Sequence, residues 1–102
     1  MIQDNINNIR AWGEDKQLIG PNAKATKHTQ YNKLCEEVNE LRHELNSDDN
    51  EAASMELGDC VVVLIQIAEH IGVSFEECVA RTFQKISNRT GRTIDGCFVK
   101  DK

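Results

Sequence analysis

Glu56-Leu57-Gly58-Asp59-Cys60-Val61-Val62-Val63-Leu64-Ile65-Gln66-Ile67-Ala68 is the stretch that decides the architecture of this chain. Two acids three residues apart open directly into a nearly unbroken apolar run. The run is rich in β-branched residues, so on its own it also fits a buried strand. The apolar pattern extends on both sides, however, from Ala52 to Glu69, and no other segment reads as a partner strand. We therefore read a central helix from about Glu51 to Ile71, buried all round. Gly72, a normal residue after a helix end, closes it.

The neighbouring segments are also helical. Asn46-Ser47-Asp48-Asp49 forms a turn before the central helix and supplies side chains that can cap it. A preceding helix is predicted from about Ala23 to Leu45, with Leu34, Val38, Leu41 and Leu45 as its apolar stripe. Ile2, Ile6, Ile9 and Trp12 predict a first helix reaching about Leu18, broken by Gly20-Pro21-Asn22. Ser74, with Glu77 three residues on, predicts the start of a fourth helix. That helix carries Phe75, Val79, Phe83 and Ile86 and stops near Thr90-Gly91. The tail from Arg92 to Lys102 shows no helical pattern and is expected to be irregular. The expectation is one all-α domain over residues 1–102, a four-helix bundle with an irregular tail. So short a chain buries only a modest core, which favours association with further copies.

Acids are the chemical signal. Lys and Arg total 12, Asp and Glu 17, and the net charge is −5. Five of the acids fall in two short clusters, Glu36-Glu37-x-x-Glu40 and Glu56-x-x-Asp59. Without those five, the remaining acids and bases balance. The excess is therefore local, and no basic face for duplex nucleic acid is expected. At about 100° per residue, Glu37 borders the Leu34/Val38/Leu41 stripe and Glu40 follows on the same flank. Glu36 points further away. Glu56 and Asp59 share a face of the central helix. A short turn between two antiparallel helices brings the pairs Glu37/Glu40 and Glu56/Asp59 together. Converging carboxylates repel unless a cation joins them, and a hard divalent ion such as Mg²⁺ takes oxygen ligands. Either cluster alone is no more than an ordinary solvated face. Gly58, between the acids of the second cluster, costs roughly 1 kcal/mol in a helix but permits close approach.

These motifs resemble the MazG-like, all-α nucleoside triphosphate pyrophosphohydrolases. The matching residues are Lys33-Leu34-Cys35-Glu36-Glu37-Val38-Asn39-Glu40-Leu41 and Glu56-Leu57-Gly58-Asp59. Lys85-Ile86-Ser87-Asn88-Arg89 and Asp95-Gly96-Cys97-Phe98-Val99-Lys100 are similar to the family's C-terminal part. The resemblance runs from about Trp12 to Lys100 and is nearest to the short single-domain bacterial and phage members. It implies a helical bundle assembling as a dimer or tetramer. It also implies Mg²⁺-dependent cleavage of the α–β phosphate linkage of a nucleoside triphosphate, releasing a monophosphate and pyrophosphate. Mn²⁺ is the expected substitute ion. By position, Glu37, Glu40, Glu56 and Asp59 become the metal ligands and Glu36 an auxiliary acid, binding a further ion or orienting water. Lys85, Asn88 and Arg92 become phosphate contacts, with Arg89 able to exchange roles with Arg92. Lys100 closes the site from the tail, its own or that of a neighbouring subunit. Gln30 and Lys33 lie on the acidic flank, within reach of base or phosphate. Core packing is the default for Trp12, with stacking on a base as the family's alternative. His28 is a weaker candidate for the base pocket, whereas His43 and His70 read as solvated.

Other readings stay open. The same metal site can serve a narrow substrate such as dUTP, dCTP or phosphoribosyl-ATP. A non-catalytic helical interaction module is the alternative of another class. Cys35, Cys60 and Cys78 sit beside apolar residues and read as buried free thiols, and no Cys-x-x-Cys pair suggests zinc. Met1 is followed by the polar Gln3, Asp4 and Asn5. The apolar run, about nine residues, is roughly half a membrane span. A soluble, cytoplasmic protein is expected, with no membrane partner.

Overall fold

Two antiparallel helices form the frame of the computed structural model, which describes residues 1–102. They are α2 (Lys27–Asn46) and α3 (Asn50–His70), joined by only three residues. Their cross-helix neighbours run in opposite directions. Gln30 meets Gln66 near one end, and Glu37 meets Asp59 further along. Before them in sequence comes α1 (Ile2–Asp15), and after them α4 (Phe75–Ser87). The chain ends in a hairpin of β1 (Gly91–Ile94) and β2 (Cys97–Lys100).

Local chemistry sets the helix ends. Thr26 Oγ1 accepts from Thr29 N at 3.1 Å, and Thr29 Oγ1 accepts from Thr26 N at 2.8 Å. This reciprocal cap starts α2 at Lys27, later than the predicted Ala23, because threonines closed the box in place of an acid. The Asp49 carboxylate caps α3 by accepting from Ala52 N at 3.0 Å. Ser74 caps α4, accepting from Glu77 N at 3.2 Å.

The core is small and centres on α3. Ala53, Cys60, Val63, Ile65 and Ala68 are buried, with Ile6 from α1 and Ile19 from the following loop. Gly13 lets α1 and that loop close over α3: a Cβ there would stand 3.3 Å from Ile19 Cγ1 and 3.7 Å from Gln66 Nε2. His70 Nε2 lies 2.7 Å from Leu18 O and ties the same loop to the end of α3. Arg10 joins three helices, pairing with Glu76 at the start of α4 and with Glu69 of α3 at 3.7 Å. Hydrogen bonds from Arg10, and then Gln3, hold the Glu76 carboxyl well below the usual carboxylate range.

The four helices stand where the sequence places them, and several finer expectations are corrected. The tail is an antiparallel hairpin, with Gly91 opposite Lys100 and Ile94 opposite Cys97. Asp95 (φ 51°) and Gly96 (φ 80°) both take positive φ, the requirement of a tight two-residue turn that Asp-Gly meets cheaply. The central helix is not buried all round. Leu57, Leu64 and Ile71 are exposed at seven-residue spacing, and Val38 and Leu45 of α2 are exposed as well. Cys60 is a buried thiol, but Cys35 and Cys78 are exposed. His70 is half-buried and hydrogen-bonded rather than solvated. Trp12 is 50% exposed, so core packing is not its role. No single helix is long and apolar enough to cross a membrane.

Ile65 is fully buried at 0% exposure, and few neighbours in so small a core can refill its space. Ile65→Ala is expected to lower the unfolding free energy by about 2–5 kcal/mol. Urea denaturation checks this, and a loss below about 1 kcal/mol would contradict the core described.

Candidate metal centre

Antiparallel pairing of α2 and α3 turns separate acids into a cluster. Ligand oxygens of Glu37, Glu56 and Asp59 all lie within 4.8 Å of one another. Glu37 is buried, Glu56 half-buried and Asp59 exposed, so the group opens to solvent on one side. Glu40, the fourth predicted ligand, lies outside this triad and is exposed, near enough to Glu56 to help raise its carboxyl pKa.

Two oxygens in the cluster have no protein partner. Glu37 Oε2 and Glu56 Oε2 are both buried and accept no hydrogen bond. A buried unpaired carboxylate oxygen is expensive, and a native structure usually satisfies it with water or an ion. Burial, followed by hydrogen bonding to Glu40 and the nearby charges of Glu40 and Asp59, pushes the Glu56 carboxyl up from 4.5 to about 7. Burial, followed by the charges of Glu37, Glu56 and Asp59, also pushes the adjacent Cys60 thiol up. Lys33 supplies the local positive charge, with Nζ 3.3 Å from Glu37 Oε1 and 3.4 Å from Glu36 Oε2. Its hydrogen bonds, first to Glu37 and then to Glu36, raise its pKa above the ordinary lysine value. The donor set is all carboxylate, partly buried, short of partners and open on one side, which fits a hard divalent cation.

A cavity of about 520 Å³ adjoins the triad. Glu36, Glu37 and Asp59 stand on its wall with Lys33, and Trp12, Gln30 and Gln66 also line it. A second cavity, lined by Asn5, Asn8, Ile9, Trp12, Asp59 and Val62, shares Trp12, Asp59 and Val62 with the first. Gln66 was not singled out in the sequence, where it reads as one polar interruption of an apolar run. That interruption was itself the signal, since a glutamine inside a core helix needs a partner. Its Oε1 accepts from Gln30 Nε2 at 2.6 Å.

The cavity brings together only part of the predicted substrate set. Trp12, Gln30 and Lys33 line it, whereas Lys85, Asn88, Arg92 and Lys100 do not, and neither does His28. Lys85 and Asn88 lie at the end of α4, and Asn88 Nδ2 donates to Gln84 O at 3.4 Å. Arg92 and Lys100 lie on the hairpin, which packs against no helix of the same chain.

The raised Glu56 carboxyl makes metal-free stability depend on pH. Folding favours the neutral form of this group, so its contribution is complete below 4.5 and is lost as pH rises through about 7. Without divalent ions, the wild-type melting temperature is expected to fall between about pH 5 and pH 8, and Glu56→Gln to flatten that fall. Mg²⁺ should raise the wild-type value more at the upper pH, because it selects the ionised carboxylate. Thermal melts at the two pH values check this, and an Mg²⁺ shift that is larger at low pH would contradict it.

Comparison with known proteins supports the same reading. The MazG nucleotide pyrophosphohydrolase domain model matches residues 25–93. This span contains α2, α3, α4 and both acidic clusters, and is narrower than the resemblance from Trp12 to Lys100. No curated protein and no solved structure matches the chain. With an all-α frame, two facing acidic motifs and a match over most of its length, the chain belongs to the MazG nucleotide pyrophosphohydrolase domain family.

Proposed function

We propose that this protein hydrolyses a nucleoside triphosphate at the α–β phosphate linkage, giving a nucleoside monophosphate and pyrophosphate. The observation that carries the reading is the Glu37, Glu56 and Asp59 triad, short of hydrogen-bond partners, beside a cavity of about 520 Å³. Glu37, Glu56 and Asp59 would hold Mg²⁺, with Glu40 available as a further ligand or as the partner of Glu56. Mn²⁺ satisfies the same oxygen donors. When bound, the ion supplies neutralisation of phosphate charge and a lowered pKa for a coordinated water.

The chain's own residues bind and orient. Lys33, at present paired with Glu37 and Glu36, is free to turn toward phosphate once a cation takes over its role. Glu36 lines the cavity outside the triad and would bind a further ion or orient the attacking water. The water oxygen bonds to phosphorus, the bridging P–O bond breaks, pyrophosphate departs and the water's proton passes to an acceptor. Trp12 presents its ring on the cavity wall, where a base can stack.

Assembly with further copies is part of the reading. Val79, Phe83 and Ile86 of α4 are exposed together, as is the Leu57, Leu64 and Ile71 seam. So much uncovered apolar surface on a small chain calls for a partner of the same kind, a homodimer or homotetramer. The reading assigns Lys85, Asn88, Arg92 and Lys100, which line no part of the cavity in their own chain, to a neighbour's site in such an assembly. No further nucleic-acid or membrane partner is needed, and a soluble cytoplasmic enzyme fits this assembly.

A panel of ribo- and deoxyribonucleoside triphosphates with Mg²⁺, assayed for pyrophosphate, tests the activity. Glu37→Ala and Asp59→Ala should each lower turnover by about a hundredfold or more. Full activity in both variants would sink the metal site, and orthophosphate without pyrophosphate would reject α–β cleavage. An interaction module without activity predicts neither turnover nor stabilisation by Mg²⁺. For assembly, light scattering should give a multiple of the 11.5 kDa chain mass. Phe83→Asp should shift the protein toward one chain, and a monomeric wild type would contradict the proposed association.

A further inference from the structure

Lys33 is the one cation paired with the acidic clusters. Its Nζ bridges Glu37 Oε1 at 3.3 Å and Glu36 Oε2 at 3.4 Å, and no other basic group forms an ion pair with Glu36, Glu37, Glu40, Glu56 or Asp59. The two partners are unlike. The Glu36 side chain is 67% exposed, whereas that of Glu37 is 9% exposed and keeps its second oxygen, Oε2, buried and unpaired. Lys33 is itself half exposed, lies one helical turn before both acids, and lines the cavity beside the triad. It therefore brings a mobile charge, on a flexible four-carbon stem, to the solvent side of the cluster.

Two arrangements with a bound divalent ion are consistent with this contact. Lys33 stays on Glu37 Oε1 and steadies the carboxylate while Oε2 meets the ion, or Lys33 leaves. Charge decides between them. An ammonium and a divalent ion on one carboxylate stand within a few ångströms of each other, in a partly buried place where screening is weak. The lysine can retreat, being half exposed and flexible. The ion cannot, because Glu56 and Asp59 are held on α3. We infer that Lys33 is a built-in counter-ion for this site: it holds Glu37 in the metal-free protein, gives way to a divalent ion, and so sets the ion concentration at which the site fills. Once displaced, the ammonium stands at the cavity wall with phosphate as its next partner. Filling the site thereby prepares a phosphate contact, and by linkage a phosphate that draws Lys33 away tightens the ion. The role given to Lys33 rests on the proposed metal site, and adds the control of its occupancy and the coupling of ion to phosphate.

Mn²⁺ titration, read from the electron paramagnetic resonance signal of the free ion, follows the competition without turnover. Lys33→Met keeps the apolar stem and removes the charge. It should tighten Mn²⁺ binding by about five- to fiftyfold. Arg42→Met removes the same charge from an exposed position on the same helix, and should leave the affinity within about twofold. Equal or weaker binding in Lys33→Met would overturn the inference and assign Lys33 to steadying Glu37 for the ion. Equal tightening in both variants would overturn it as well, since overall charge alone would then be at work. Mn²⁺ binding in neither wild type nor Lys33→Met would remove the metal site and the inference together.

The unaltered protein gives a second reading, which needs no variant to fold. An ammonium held between two carboxylates is acetylated slowly, and one that has lost them is acetylated faster. With acetylation mapped by mass spectrometry, Mg²⁺ should speed modification of Lys33 by about threefold or more and leave the exposed Lys27 of the same helix unchanged. A Lys33 rate that Mg²⁺ leaves unchanged or slows would overturn the inference. In turnover, Lys33→Met should need less Mg²⁺ for its half-maximal rate while its KM for the triphosphate rises, and an unchanged KM would overturn the link to phosphate. Should no triphosphate be hydrolysed, the hydrolase reading fails, and the Mn²⁺ and acetylation measurements still decide whether Lys33 competes with the ion.

Discussion

Mutual repulsion among carboxylates on two facing helices is the constraint around which this molecule is arranged. Antiparallel pairing of α2 and α3 covers the face of α3 on which the buried Ala53, Cys60 and Val63 lie beside Glu56 and Asp59. The same pairing drives Glu37 against Glu56 and Asp59. Core and charge cluster are therefore inseparable: the hydrophobic seam cannot close without bringing the acids together. Lys33 relieves part of the repulsion, and a raised Glu56 carboxyl relieves more by holding a proton. Both remedies leave Glu37 Oε2 and Glu56 Oε2 unpaired, and a divalent cation would meet both needs at once.

The remaining elements supply surroundings for that cluster. The first helix approaches closely at Gly13 and leaves Trp12 half-exposed over the cavity, with the glutamine pair below. Arg10, Glu69 and Glu76 fix this helix against the ends of α3 and α4. The cavity wall thus divides into an acidic end, suited to a metal and phosphates, and an amide-and-indole end, suited to a base. The fourth helix and the hairpin contribute nothing to the cavity in one chain. Their apolar residues Val79, Phe83, Ile86, Phe98 and Val99 stay exposed on the single chain.

The features legible in the sequence are those written in local periodicity. Four helices, their order and the acid spacing follow from apolar recurrence, caps and turns, because each depends on residues a few positions apart. The hairpin was legible too, in Ile94-Asp95-Gly96-Cys97, but its short strands gave no long alternation. What depended on tertiary packing was hidden. Leu57, Leu64 and Ile71 are apolar yet exposed, since a single chain lacks a surface to cover them. His70 reads as an ordinary polar helix position until the loop carbonyl of Leu18 arrives. The separation of Glu40 from the triad, and the Gln30–Gln66 bond, arise only once helix register is fixed.

The central claim is that the convergence of these acids is a cation site rather than a tolerated clash. Titration of Mn²⁺ followed by the electron paramagnetic resonance signal of the free ion tests it without reference to substrate or product. The account predicts saturable loss of the free-ion signal with at least one ion bound per chain, displacement by Mg²⁺, and loss of this binding in Asp59→Asn. A free-ion signal that tracks total Mn²⁺ up to millimolar concentration, in wild type as in the variant, would contradict it.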